Sequence, residues 1–550
     1  MVPILSILAA APLLWLFIRR VIMRRRQRGL PLPPGPRGFP IIGNMFDVKI
    51  RKDQPRWVTY RDWSRQHNSD IIYVNVFGEH MVILNSLKST AELLEKRSGN
   101  YSDRPPMYMA NDLMKWEWDF VHMKYSDEWR LHRKTFHQYF QSRNAPEFYE
   151  VQRAASLAVL QKLVSDPDNY NDHIRHHAGS IILKLVYGYT LQPVNDPYVT
   201  LAAKAMEGLV AAVNHGSFLL TRVTSGDVRS AAWLPGASFK RKAEKWALDS
   251  IAIKERPWEW LAASMVRTLL FPLKGYFLTT MYIWKADGTA LPSFASRNAE
   301  KNLDDFQMVE VIKNCSAIAY LAGSDTTVSL ALTFILAMAL HPEVQARAQA
   351  EIDAVVGPAR FPDFSDRDRL PYVEALFAET MRIHPVAPLS VPHSCITDDV
   401  YNGYYIPAGA TVVGNIWAIM HDETLYPEPS AFRPERFVKE EGKELQPHPE
   451  QFLFGFGRRV CPGKYLAANS VWLLITYLLS TFDIKKPLDK DGKEVDPAVK
   501  YNDGLVSLLI SHEDETLGSS GATHFDRHSL NADLETESNA LTLDDRLELS

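Results

Sequence analysis

The stretch Phe454-Gly455-Phe456-Gly457-Arg458-Arg459-Val460-Cys461-Pro462-Gly463 sets one cysteine among glycines, just ahead of an apolar-periodic run from Leu466 to Leu479. Proline suits the first position of a helix, whose N–H has no partner anyway, so Cys461 is expected at the N-cap with Pro462 following as the first helical residue. The helix dipole would there favour a thiolate over a thiol. Flanking glycines permit a tight turn whose backbone N–H groups point at sulfur and tune a metal bound to it. A lone cysteine is more often a small buried hydrophobe, but the Phe-x-x-Gly-x-Arg-x-Cys-x-Gly setting is far more specific than a lone thiol. A second set, Ala322-Gly323-Ser324-Asp325-Thr326-Thr327, interrupts a long apolar run. Small residues let a diatomic ligand approach the backbone, and a mid-helix threonine can bond to the carbonyl four residues back and bend the helix. A hydroxyl beside a carboxylate can relay protons. The plainer reading of the same residues is a polar kink in a core helix.

The elements that must carry these groups are mostly helical. Apolar periodicity predicts helices over roughly 146–164, 173–188, 198–213, 305–340, 342–356, 371–383 and 462–480. Shorter β-rich pieces are Ile71–Val76, Met81–Leu84 and Thr411–Val413. The expected fold is a mostly α single domain with small β-sheets and no internal repeat. Glu379 and Arg382 share a helix face at i and i+3 and can pair, a spacing that many surface helices also show.

Composition bounds the function. The 550 residues are 46% hydrophobic and 23% charged, which is globular, and the formal net charge of -4 argues against a nucleic-acid binder. Three scattered cysteines, Cys315, Cys395 and Cys461, cannot make a disulfide framework or a Cys-x-x-Cys zinc cage. Charge gathers at the ends. Seven arginines, from Arg19 to Arg37, precede the first acid, Asp47, whereas from His512 to Ser550 ten acids face Arg527 and Arg546.

Met1 to Ile18 is uncharged and apolar, just inside the length of a membrane-spanning helix, although Pro3, Ser6 and Pro12 interrupt it. The basic cluster follows the run, opposite to a cleaved secretory signal, and the positive-inside rule then puts the rest of the chain in the cytoplasm. An amphipathic surface helix is the alternative. Residues 19–40 are basic and proline-rich and read as a stiff hinge. Residues 41–511 form the body, and 512–550 an acidic, disordered tail, most simply a solvated extension.

On the cysteine motif the chain resembles the cytochrome P450 family of haem-thiolate monooxygenases, over roughly Pro31 to Ser511. Three further matches follow in the expected order. Trp129-Arg130-Leu131-His132-Arg133 resembles the family's Trp-x-x-x-Arg helix, which implies that Trp129 and Arg133 bond a haem propionate. Ala322 to Thr327 resembles the oxygen-activation helix and implies Asp325 and Thr326 as the proton-delivering pair. Glu379-Thr380-Met381-Arg382 with Pro434-Glu435-Arg436-Phe437 resembles the buried Glu-x-x-Arg pair locked by a second arginine, giving Glu379, Arg382 and Arg436 a structural role. The resemblance makes Cys461 the axial ligand of haem b iron, with Phe454, His393 and Arg459 as further haem contacts. It also implies electrons from NADPH through a separate cytochrome P450 reductase, since no Gly-x-Gly-x-x-Gly fingerprint is present. Cytochrome b5 is a second possible donor, and the endoplasmic reticulum membrane the expected location.

The distal side is expected to be lined by Met107 to Met123, by the long helix near Ala319 and Ala322, by Ala387 to Val391 and by Gly504 to Val506, a mostly apolar set suited to a lipophilic small molecule. Tyr101-Ser102-Asp103-Arg104-Pro105, Asn415-Ile416 and His421-Asp422-Glu423 resemble fungal members of secondary metabolism, which implies a terpenoid, polyketide or aromatic substrate. Two stretches depart from the pattern. The segment from Met265 to Trp284 stands where related chains have a short polar connection, and reads either as a translated unspliced intron or as a membrane-contacting loop. Thr221 to Asp227 is more polar than usual. Beside a monooxygenase, two readings stay open: a haem-thiolate isomerase or dehydratase working without O2, which the Asp325-Thr326 pair disfavours, and an inactive product of the insertion.

Overall fold

The computed structural model describes residues 21, 23, 25–48, 54–213, 238–265, 291–302, 304–442, 444–489, 491–497, 501, 502, 504, 506, 507 and 524–527. The expected anchor over 1–18, the run Thr221 to Asp227 and residues 266–284 lie outside them. The contacts divide the chain into two compact units, one drawn from Met1–Pro106, Leu389–Ile419 and Gly455–Arg459, the other from the remainder.

The first unit is built on strands. After helix α1 (Arg56–Gln66), β1 (Ile71–Val76) turns back on β2 (Glu79–Leu84) through Phe77-Gly78, both at positive φ as a two-residue hairpin loop requires. β3 (His393–Ser394), the hairpin of β4 (Asp399–Tyr401) and β5 (Tyr404–Ile406), and β6 (Thr411–Gly414) follow. Asn402-Gly403 supplies the positive φ values of the second hairpin. One sheet has the order β1-β2-β6-β3, with β6 parallel to β2 and antiparallel to β3. The proline-rich half of the expected hinge is docked here: the Pro34 carbonyl accepts from the Tyr73 N–H at 2.9 Å and the Pro31 carbonyl from the Tyr405 N–H at 2.8 Å. Proline cannot donate to a ladder but still accepts, so the segment lies along strands as a one-sided partner.

The second unit is helical: α2 (Asp127–Phe140), α3 (Tyr149–Ser165), α4 (Tyr170–Tyr187), α5 (Pro197–Val213), α6 (Ser238–Met265), α7 (Phe294–Lys301), α8 (Phe306–Leu340), α9 (Pro342–Val355), α10 (Pro371–Ile383) and α11 (Lys464–Thr481). α8 is apolar on all sides because it is buried on all sides. It is the one described helix long and apolar enough to cross a membrane, yet 83% of that window is buried within the protein, which marks a core helix. Its first half, Val311 to Leu321, packs in a core with α2, α4, α5 and α6, and its second half, Val328 to Ala339, in a core with α3, α9, α10 and α11. Ala322 to Thr327 falls between the two.

Three expectations are corrected. α11 starts at Lys464, with Gly463 and not Cys461 at its N-cap, because the Cys461 N–H donates to the Phe454 carbonyl at 2.7 Å and the chain must turn through Pro462 before the helix begins. Met265 is not the start of an inserted loop but the fully buried last described residue of α6. The segment read as a disordered tail contains strand β8 (His524–Arg527), antiparallel to β7 (Phe482–Lys485). Phe525 is buried there against Phe482 and Tyr170, an apolar contact that the surrounding acids hide from composition.

Candidate functional site

In the helical unit Cys461 is partly buried at the head of the turn that leads into α11. Burial pushes its thiol up, while the Gly463 N–H, the Arg133 guanidinium and the Lys464 ammonium pull it back toward ionisation. Arg133 comes from α2, which the Ser126 hydroxyl caps by accepting from the Trp129 N–H at 3.1 Å. Trp129 is buried and stands one turn before Arg133 on the same face. Desolvation lowers the Arg133 pKa, and Cys461 is the group that opposes it; among the described residues no carboxylate or carbonyl pairs with this guanidinium. A half-buried cation without a counter-ion, beside a thiol that backbone N–H and positive charge favour as thiolate, fits a ligand that brings both an anion and a metal. Haem, with its propionates and iron, meets that description.

α8 places Asp325 and Thr326 on diverging faces, since successive helical positions lie about 100° apart. The Thr326 hydroxyl donates to the Ala322 carbonyl at 2.8 Å, the bond a mid-helix threonine makes. Asp325 turns into the core and pairs with Arg175 of α4 at 3.1 Å. Burial raises its pKa and Arg175 lowers it, with burial the stronger. Gly323 is small where α8 packs on α4: a Cβ there would lie 3.0 Å from Ile182.

Glu379 and Arg382, both fully buried on α10, form a bidentate pair at 2.7 and 2.8 Å. Arg436 reaches the same carboxylate at 3.4 Å, and the Arg433 N–H donates to it at 2.8 Å. Two arginines on one acid leave a surplus positive charge, which the carbonyls of Met420, Ala431 and Glu428 accept. The three residues expected to act together are thus in contact, as a structural clamp.

In the strand unit His393 lies in β3 and is buried, with its ring Nδ1 donating to the Tyr101 carbonyl at 2.7 Å. Burial, with Arg104 and Arg459 close by, holds its pKa well below the ordinary range, so in the absence of an anion the ring is neutral. The Arg459 Nε donates to the Ser102 carbonyl at 2.8 Å, and Arg104 donates to the carbonyls of Val391 and Pro392 at 2.8 and 2.6 Å. Three basic groups therefore converge. Gly457, at φ +56°, is required where it is: a Cβ would come within 2.5 Å of the Leu94 carbonyl. Phe454 contributes through its carbonyl, which holds the Cys461 backbone.

Sequence reasoning missed Arg104 and Arg175. Both were visible as arginines, one before Pro105-Pro106 and one on an apolar helix face, but neither spacing reveals a partner more than a hundred positions away. Also unforeseen is a buried pair in the loop Met107 to Met123, where the His122 Nδ1 lies 2.6 Å from Asp119.

A profile of the cytochrome P450 family matches residues 33–502. A cytochrome P450 monooxygenase of Armillaria gallica is 39% identical over 92% of this chain and 94% of its own length. One of Postia placenta is 40% identical over 88% and 90%, and the tryptamine 4-monooxygenase of Psilocybe cyanescens is 37% identical over 88% and 92%. With a family profile over most of its length and relatives that share nearly all of it, the chain belongs to the cytochrome P450 family of monooxygenases, oxidoreductases that bind haem iron.

Proposed function

We propose that this protein binds haem b through Cys461 and inserts one oxygen atom of O2 into a lipophilic small molecule, a terpenoid, polyketide or aromatic secondary metabolite, with electrons drawn from NADPH through a separate reductase. Cytochrome b5 is a second donor in this reading, and residues 1–18 anchor the chain in the endoplasmic reticulum membrane with the body in the cytoplasm. The observation that carries it is the Arg133 guanidinium beside Cys461, which has no counter-ion among the described residues. Haem bound at that sulfur would supply the O–O cleavage that thiolate ligation favours.

The chain's own residues divide the remaining work. Trp129 and Arg133 would hold a haem propionate, the family resemblance implies His393 and Arg459 as further propionate contacts, and a propionate would bring His393 the proton that its surroundings otherwise deny it. Thr326 presents a hydroxyl whose own proton rests on the Ala322 carbonyl, so its oxygen is turned to accept one. Asp325, kept in the core by Arg175, is the acid that takes protons from outside and passes them inward. The relative named tryptamine 4-monooxygenase makes aromatic amines the first substrates to screen.

The test is the carbon monoxide difference spectrum of the reduced, full-length protein in membranes, followed by turnover with NADPH and reductase. A red-shifted thiolate band and reductase-dependent product are expected. A protein that folds yet shows no such band would overturn the haem assignment, and turnover indifferent to NADPH would overturn the monooxygenase reading in favour of an isomerase.

A further inference from the structure

Between the proline-rich hinge and α1 the chain makes a closed turn in the strand unit. The Phe39 N–H donates to the Gly43 carbonyl and the Gly43 N–H to the Phe39 carbonyl, both at 2.9 Å, and the Ile42 N–H donates to the Pro40 carbonyl at 2.8 Å. Asn44, which is buried, fastens the turn to β1. Its side-chain oxygen accepts from the Asn75 N–H at 2.9 Å, and its backbone N–H donates to the Asn75 carbonyl at 2.6 Å. Its side-chain amide donates to the Pro36 carbonyl and to Asp47, both at 3.0 Å. Gly43, at φ +59°, is required at the crossing, because a Cβ would run into the Asn75 carbonyl. Every bond named here holds the backbone of the turn in place.

What the turn presents to solvent is apolar. Phe39, Ile41 and Phe46 are 58%, 61% and 59% exposed, and the two rings meet edge to face with centroids 6.0 Å apart. Ile41 is also held at φ +69°, a left-handed conformation that glycine takes freely and a β-branched residue avoids. Single exposed apolar residues need no explanation, whereas a contiguous group marks a contact with something else. Backbone strain and apolar exposure at one place are two local costs that the packing of the turn does not offset, and such exceptions gather where a protein has work to do.

We propose that this turn is a second membrane contact: Phe39, Ile41 and Phe46 enter the boundary between lipid headgroups and acyl chains and fix how the strand unit sits on the bilayer. This rests on the reading of residues 1–18 as an anchor. The neighbouring charges fit that occupant. Arg25, Arg26, Arg28 and Arg37 are exposed in the same unit, and no acid precedes Asp47. Anionic lipid uses the cations and the apolar groups together, the former at the headgroups and the latter just beneath them. The Pro31 and Pro34 carbonyls tie the connecting segment to the strands, so an anchored chain meets the bilayer from the part of the strand unit that carries the turn.

The test places a nitrobenzoxadiazole probe on Pro40→Cys in the full-length, haem-loaded protein, whose own Cys315 and Cys395 are buried. The labelled protein is reconstituted with vesicles of phosphatidylcholine and phosphatidylserine that carry a nitroxide at the headgroup end of an acyl chain. Its emission should shift to the blue on membrane binding and be quenched by the nitroxide. In the combined variant Phe39→Ser, Ile41→Ser and Phe46→Ser, the protein should still float with the vesicles and keep its reduced carbon monoxide band, but lose the blue shift and most of the quenching. If that variant shows no band, Ile41→Gly with Phe46→Ser decides by the same measure, since glycine accepts φ +69° without strain. Quenching that the serines leave unchanged would overturn the proposal and leave the anchor standing. A blue shift without quenching would mean that a second copy of the chain covers the turn, and would overturn it as well. An unaltered protein that does not float would sink the anchor reading, and the proposal with it.

Discussion

Thr326 and Asp325 stand next to each other in the chain and do different things in the fold, one holding a backbone carbonyl and the other an arginine from α4. Thr326→Ala removes the hydroxyl without removing haem, and is expected to cut product formation by about 10²-fold, with hydrogen peroxide appearing in its place per NADPH consumed. Arg175→Met tests the other member. Arg175 lowers a pKa that burial raises, so without it the Asp325 carboxyl holds its proton to higher pH. The acidic limb of the rate against pH should move upward, while Thr326→Ala should leave that limb where it is. Both candidates were named from Ala322 to Thr327 through the family resemblance, because a hydroxyl beside a carboxylate is a pair that can relay protons. Arg175 was not, since nothing in the sequence near it says which helix it will face.

The elements show a similar division. α8, α9 and α10 were readable almost to the residue, because each begins or ends at a proline or an acidic cap and the interior is apolar. The start of α11 was misjudged by two residues because a tertiary bond, from the Cys461 N–H to Phe454, outranks the local preference of Pro462 for a helix start. α10 is also where a single change should be most costly. Glu379→Ala leaves Arg382 and Arg436 buried without their acid, a loss of about 3–5 kcal/mol against a total stability of about 5–15 kcal/mol. Little or no carbon monoxide-binding protein should be recovered, whereas Arg433→Ala, which keeps its backbone N–H on Glu379, should leave the yield close to normal.

At the scale of the whole molecule, acid should be a sharper stress than the modest net charge suggests. His177 and His384 are buried and neutral, each with its pKa pushed from 6.5 down to about 3. Between those values the unfolded chain binds protons that the folded chain refuses, so stability present above pH 6.5 is lost as pH falls toward 3, by a few kcal/mol in all. Denaturant midpoints followed from pH 7.5 to 4.5 should fall steadily, and less steeply in His177→Gln. Phe525→Ala gives a second check at this scale: it empties a core position filled from beyond the body and should cost about 3 kcal/mol in the same assay. Strand β8 also bears on how the protein is made in the laboratory. A gene trimmed to stop at Ser511, where composition draws the boundary, would encode a chain that leaves β7 unpaired and Phe482 without its edge-on partner. Poor yields from such a shortened gene would say nothing about haem or substrate, only that a working piece of the interior had been cut away with the tail.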